Sequence, residues 1–195
     1  MTDERIERIL HPVPDGSYSI VHAKELIFKD LCKDPDIFEL LDNKELLEKN
    51  ALPEDYYFVN IYPFLKIPDV QSKVKNFICY EIDDLEDYTA NNVKIRRQVK
   101  IRVASHEQSV QTPYGVLRQD LLAMIIDERM QWANFLGAPM KKVYDAGKVA
   151  ENGYYYRNMY YELAATNNLQ YGASENILDW KGRNYYSVED SFDTY

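Results

Sequence analysis

Residues 93–106 (VKIRRQVKIRVASH) constrain this chain more than any other stretch, because alternation with a period of two over that length suits only an extended strand. Val93, Ile95, Val99, Ile101 and Val103 fall on one face, with Arg97 alone breaking the row, while Lys94, Arg96, Lys100, Arg102 and His106 fall on the other. The strand therefore reads as one core face and one basic stripe. The whole chain carries a formal net charge of −9, so the stripe is expected to meet an acidic surface, either within this protein or on a partner. Thr112-Pro-Tyr-Gly115 reads as a turn, and the apolar-periodic run 116–136 as the longest helix.

The remaining elements follow from local signals. Ser19 is placed to cap a helix with Ile20, Ala23, Ile27 and Leu31 at helical spacing, and Asp34-Pro35 reads as an N-cap followed by proline at the first helical position. A third short helix is expected after Asn43. Pro12 and Pro14 make the segment before Asp15 an extended arm. After Pro53 the texture becomes β: residues 56–62 (YYFVNIY), 75–82 (KNFICYEI), 140–145 (MKKVYD) and the tyrosine-rich 153–165 read as strands, with an acidic loop ahead of the basic strand. The fold class is α+β, an antiparallel sheet packed against one long helix, with an N-terminal helical segment and an extended C-terminal tail. Residues 1–52 form the arm and helices, 53–166 the α+β core, and 167–195 a tail of Asn, Ser, Asp, Gly and Tyr, too polar to order itself alone. No internal repeat is visible.

Several function classes lose support here. The net acidity argues against tight sequence-independent binding of nucleic acid, although a local basic face can still approach DNA. No apolar run is long enough to span a bilayer, and the charged start (MTDER) is unlike a secretory signal, so the expectation is a soluble protein made in the cytoplasm. Cys32 and Cys79 lack metal-type spacing and read as reduced core thiols. His11, His22 and His106 show no pairing, and a Ser105-His106-Glu107 run in one strand sends neighbouring side chains to opposite faces, which cannot assemble a triad. There is no glycine-rich phosphate loop, nucleophile elbow or His-Glu-x-x-His.

The acidic run 81–87 (EIDDLED) offers Asp83, Asp84, Glu86 and Asp87 as oxygen ligands for a hard cation, but its spacing matches no calcium loop and lacks the glycine. A solvated hairpin or an acidic patch for a basic neighbour fits better. No cofactor and no catalytic residue is expected, and a metal-dependent enzyme built on this cluster is the distant alternative. What remains is tyrosine. Tyr154, Tyr156 and Tyr160 share one face of the late strand, with Tyr155 and Tyr161 on the other, so that strand is either core on both sides or covered by another chain on one. On the helix, Leu117, Leu121, Met124, Ile125, Trp132 and Leu136 are expected to cover the sheet, with Leu122, Ile126, Met130, Ala133 and Phe135 widening the apolar surface beyond one stripe. In the tail, Trp180, Tyr185 and Tyr186 suit docking on a neighbour.

Taken in order, residues 61–68 (IYPFLKIP), 75–82 (KNFICYEI), 99–106 (VKIRVASH) and 114–126 (YGVLRQDLLAMII) resemble the neck proteins of tailed bacteriophages, in particular tail-terminator or tail-completion proteins. The resemblance covers roughly residues 56–165 and lies in order and texture rather than in a catalytic signature. It implies a structural virion protein, not an enzyme: an α+β protomer assembling as a ring, expected to be a hexamer, that caps the tail tube and meets the head connector while genome DNA passes through the lumen without specific binding. The N-terminal helices and long tail exceed the minimal pattern, which leaves a head-closure or other connector ring as the alternative. In a ring, a basic strand face on one side and an acidic loop on the other suit a heterologous contact, with Lys94, Arg96, Lys100 and Arg102 facing Asp83, Asp84, Glu86 and Asp87 of a neighbour or an acidic partner ring.

Overall fold

The computed structural model describes residues 20–65, 76–85, 94–149 and 153–166. In chain order these give α1 (Ile20–Leu31), α2 (Pro35–Leu41), α3 (Lys44–Glu48), a 3-10 turn (Pro53–Tyr56), β1 (Ile61–Tyr62), β2 (Asn76–Leu85), β3 (Lys94–His106), a second 3-10 turn (Glu107–Ser109), α4 (Arg118–Met130), β4 (Lys141–Val149) and β5 (Tyr154–Thr166). The strands form one sheet in the order β1-β2-β3-β5-β4. All pairings are antiparallel except β1 with β2, which is parallel and two residues long. The α+β class holds.

The short helices form where their caps place them. The Asp34 carboxylate accepts from the Asp36 N–H at 3.2 Å with Pro35 at the first turn, and the Asn43 side chain accepts from the Leu46 N–H at 3.4 Å. The Ser19 cap and the N-terminal arm lie outside the described residues. The Thr112-to-Gly115 turn forms as read, with the Gly115 N–H donating to the Thr112 carbonyl at 3.1 Å and Gly115 at φ 74°.

One face of the sheet is covered by helices. Ile78, Tyr80 and Ile82 of β2, Val99, Ile101 and Val103 of β3, and Met159, Tyr161 and Leu163 of β5 share a buried cluster with Ala23, Ile27 and Leu31 of α1, Ile37, Leu40 and Leu41 of α2, and Leu122, Ala123, Ile126 and Met130 of α4. Helix α4 therefore does not cover the sheet alone, and α1 and α2 belong to the same core. Arg118 ties α4 to α2 and to the second 3-10 turn: its guanidinium donates to the Leu40 carbonyl at 2.8 Å and the Ser109 carbonyl at 2.7 Å.

Three expectations are corrected. The covering face of α4 is Leu122, Ala123, Ile126 and Met130, whereas Leu117, Met124 and Trp132 stand 41%, 60% and 65% exposed. Both stripes are apolar, so periodicity alone does not rank them; the helix also stops at Met130, where Trp132 turns back at φ 66° with its N–H on the Met140 carbonyl. The aromatic run 56–62 is mostly turn, with Phe58 at φ 59°, and only Ile61–Tyr62 reaches the sheet. Asp83 and Asp84, expected in a loop, are strand residues of β2, because β3 pairs with β2 out to Leu85.

Candidate functional site

The sheet has a second face with no helix on it among the described residues. Alternation and register bring together Phe77, Cys79, Glu81 and Asp83 from β2, Arg96, Gln98, Lys100, Arg102, Ala104 and His106 from β3, Tyr154, Tyr156, Asn158, Tyr160 and Glu162 from β5, and Lys141, Tyr144 and Lys148 from β4. The tyrosine alternation of β5 is unbroken. Tyr161 turns to the helix side, where its hydroxyl donates to Asp127 at 2.8 Å and burial pushes its pKa well above the ordinary range.

One end of this face is dry. Tyr62, Phe77, Cys79, Ala104 and Tyr154 are buried together with Tyr156 against them. Ring centroids run 5.9 Å from Tyr62 to Phe77, 6.0 Å from Phe77 to Tyr154, and 5.0 Å from Tyr154 to an edge-on His106. Tyr154, expected as an interface residue, is only 1% exposed and so supports the face from beneath. Cys79 is buried here as read; Cys32, only half-buried, has its thiol pushed up to about 11 by burial first and by Glu54 second.

The other end is polar and paired. Lys100 bonds the Asp83 carboxylate and stands 5.9 Å from the centre of the Tyr160 ring, which stacks on Tyr144 at 4.7 Å and 26°. The Arg102 Nε donates to the Asn158 side-chain oxygen at 2.8 Å, with the guanidinium 5.3 Å from the Tyr156 ring centre. Glu162 accepts from Gln98 at 2.9 Å and lies 3.8 Å from the half-exposed Arg96. The expected basic stripe is thus interleaved with acid. Arg96, Lys100 and Arg102, with Lys141 and Lys148 of β4, share the face with Glu81, Asp83 and Glu162, five cations against three carboxylates, because β2 and β5 bring their carboxylates alongside β3. The counter-surface of Lys100 lies in its own chain. Arg97, the break in the apolar row, is buried on the helix side with two bonds to Asp84, 2.6 and 3.0 Å.

Asp83 and Asp84 therefore point to opposite sides of the sheet, each held by a cation, and do not converge on a metal. Among the described residues no group of three or more His, Cys, Asp or Glu could hold an ion. Glu86, Asp87, His11, Trp180, Tyr185, Tyr186 and the tail 167–195 lie outside the described residues, as does the side chain of Lys94. The sequence reading missed Gln98, Asn158, Glu162 and Tyr144; Asn158 between Tyr156 and Tyr160 at strand spacing was the available signal. It also missed a network on the helix side, where Lys142 bonds Asp127 at 2.7 Å and Arg157 bonds Asp145 at 2.5 Å and Asp120 at 3.2 Å.

The molecule is thus a two-layer α+β protein whose distinguishing feature is a broad aromatic surface of mixed charge rather than a cleft. Residues 34–163 match the YomW family model, and the chain belongs to the YomW family. A search of curated proteins gives no match. Among solved structures, a chain described as "Virion of native gene transfer agent (GTA) particle" is similar to this one, with a TM-score of 0.52 at 8% identity, covering 77% of this chain and 100% of that one. At that identity the likeness is one of fold. No helix among the described residues is long and apolar enough to cross a membrane.

Proposed function

We propose that this chain is a structural virion protein of a tailed phage or phage-derived particle. It forms a ring, a hexamer, at the neck, where it terminates the tail tube and joins it to the head connector. The observation that carries this reading is the fold likeness to the gene transfer agent virion chain, which spans the whole of that chain and most of this one. The surface fits such work. The open face holds Lys100 and Arg102 against tyrosine rings before any partner arrives, which lowers the ordering cost of binding. Its carboxylates, interleaved with the cations of β3, suit a protein neighbour better than a phosphate backbone, in keeping with a lumen that lets DNA pass without specific contact. Lys94, Arg96, Lys100, Arg102, Tyr156 and Tyr160 are assigned to contact with an adjacent ring, and Trp180, Tyr185 and Tyr186 of the tail to clasping a neighbour. The role is architectural rather than catalytic.

Deleting the gene from the phage or prophage that carries it tests this. Without a terminator the tube end stays open to growth, so overlong tails and unjoined, filled heads are expected by electron microscopy. Loss of a head-closure ring would instead leave tails of normal length beside leaking heads. Normal joined particles, or absence of the protein from purified particles, would refute the virion role.

A further inference from the structure

The sheet ends in two strands of opposite charge, and we infer that they join copies of this chain head to tail. At one end, β4 (KKVYDAGKV) is a nine-residue edge strand, and no described strand pairs with its outer side. Val143, Tyr144 and Val149 are 47%, 38% and 70% exposed on it. At the other end β1 pairs with β2 only at Ile78 and Cys79, so residues 80–85 of β2 (YEIDDL) have no described strand beside them away from β3. An edge of this length is a template for another strand.

Direction and charge both select the pairing. Because β2 is antiparallel to β3, β3 to β5 and β4 to β5, β4 runs antiparallel to β2. A second copy that continues the sheet with its helices on the same side therefore lays its β2 edge antiparallel to β4 of the first. The open faces then coincide, placing Lys141 and Lys148 of one copy on the same side as Glu81 and Asp83 of the next. Lys141 and Lys148 are exposed, with no ion pair among the described residues. A two-fold pairing of β4 with β4 would instead set these lysines against each other, a like-charge arrangement that disfavours it.

The β2 edge is guarded in the single copy. The Ile78 N–H donates outward to the Asn60 carbonyl at 2.8 Å, so by alternation the Ile82 N–H also points outward, where the Glu81 carboxylate accepts it at 3.1 Å while held by Lys24 of α1. Docking of β4 frees that N–H and gives Glu81 a lysine from the neighbour, with only side chains moving. A contact between two different edges is heterologous, so each added copy leaves one edge free until the ring closes. This deepens the ring reading above and names its subunit contact. Particle analysis tests the virion role separately.

The test compares the full-length chain with K141E/K148E by sedimentation velocity across a concentration series. A control, K44E/K49E at the first residue and the C-cap of α3, makes the same change in net charge. The wild type and control are expected to assemble, and K141E/K148E to be monomeric or weakened by more than about tenfold, with unchanged circular dichroism and melting. Its intact β2 edge still accepts a wild-type β4, so co-expression should cap wild-type assemblies as short oligomers, which a misfolded variant would not do. Normal assembly of K141E/K148E, equal loss in the control, a wild type that stays monomeric, or a wild type that stops at a two-fold dimer each overturns the inference.

Discussion

Removing the Asp84 carboxylate should cost far more than removing the guanidinium it holds. The Arg97 side chain is 8% exposed and donates two bonds to Asp84, whose own side chain is 33% exposed. Breaking a buried pair from the better-solvated side strips two charge-assisted bonds from a guanidinium in the core, a loss of about 3–5 kcal/mol when both partners are fully buried. Water reaches Asp84, which moves D84A to roughly 2–3 kcal/mol, a fall of about 6–10 °C in melting temperature for a chain of this size. R97M keeps the apolar stem beside Val99 and lets Asp84 rehydrate, so it should cost less than about 1 kcal/mol. The double variant should then resemble R97M rather than the sum of the two. Urea titrations of the four proteins at constant m-value give the cycle. A loss below about 1 kcal/mol in D84A, or a larger loss in R97M than in D84A, would refute the reasoning.

The helix-side network makes a pH prediction. Burial raises the Asp145 pKa, but the bonds and charges of Arg157 and then Lys142 outweigh it, so the pKa sits below its ordinary value of 3.8. The stabilisation is therefore present above that value and lost as pH falls through the lowered one, and the melting difference between wild type and D145N should shrink there. Tyr161→Phe removes one bond to an Asp127 that Lys142 also holds, and should cost about 1 kcal/mol by chemical denaturation. Trp132→Gly relieves a non-glycine residue at φ 66° whose ring is exposed, so melting should stay level or rise by about 1–3 °C; a clear fall would show that the ring contributes to the fold.

Strand β3 was legible because one face was to be buried by helices, and burial imposes period two on Val99, Ile101 and Val103 whatever their neighbours are. The small helices were legible because Asp34 and Asn43 act within three residues of themselves. The charge of the open face was not. Whether Lys100 lies in a basic stripe or opposite Asp83 depends on which strands flank β3 and in what register, and no local signal fixes that. Helix α4 shows the same limit: Leu121 and Leu122 are equally apolar, and only the packed sheet and the other helices choose between their stripes. The positive φ angles at Phe58 and Trp132, which end a strand reading and a helix reading, involve residues that rarely adopt them, so composition gave no warning.

The sheet order also sets when the molecule can exist. Its central pairing joins β3 to β5, so Ile101 finds Met159 only after α4 and β4 have been made. The N-terminal helices wait longer still, since Ala23 and Ile27 bury against a core that includes Tyr161 and Leu163. Loop closure over such separations must precede the contacts that reward it, which makes folding slow relative to a helical bundle of similar size. A chain emerging from the ribosome thus carries exposed apolar helix faces and an unpaired β2–β3 ribbon until β5 is complete, the interval in which a holding chaperone has most to bind.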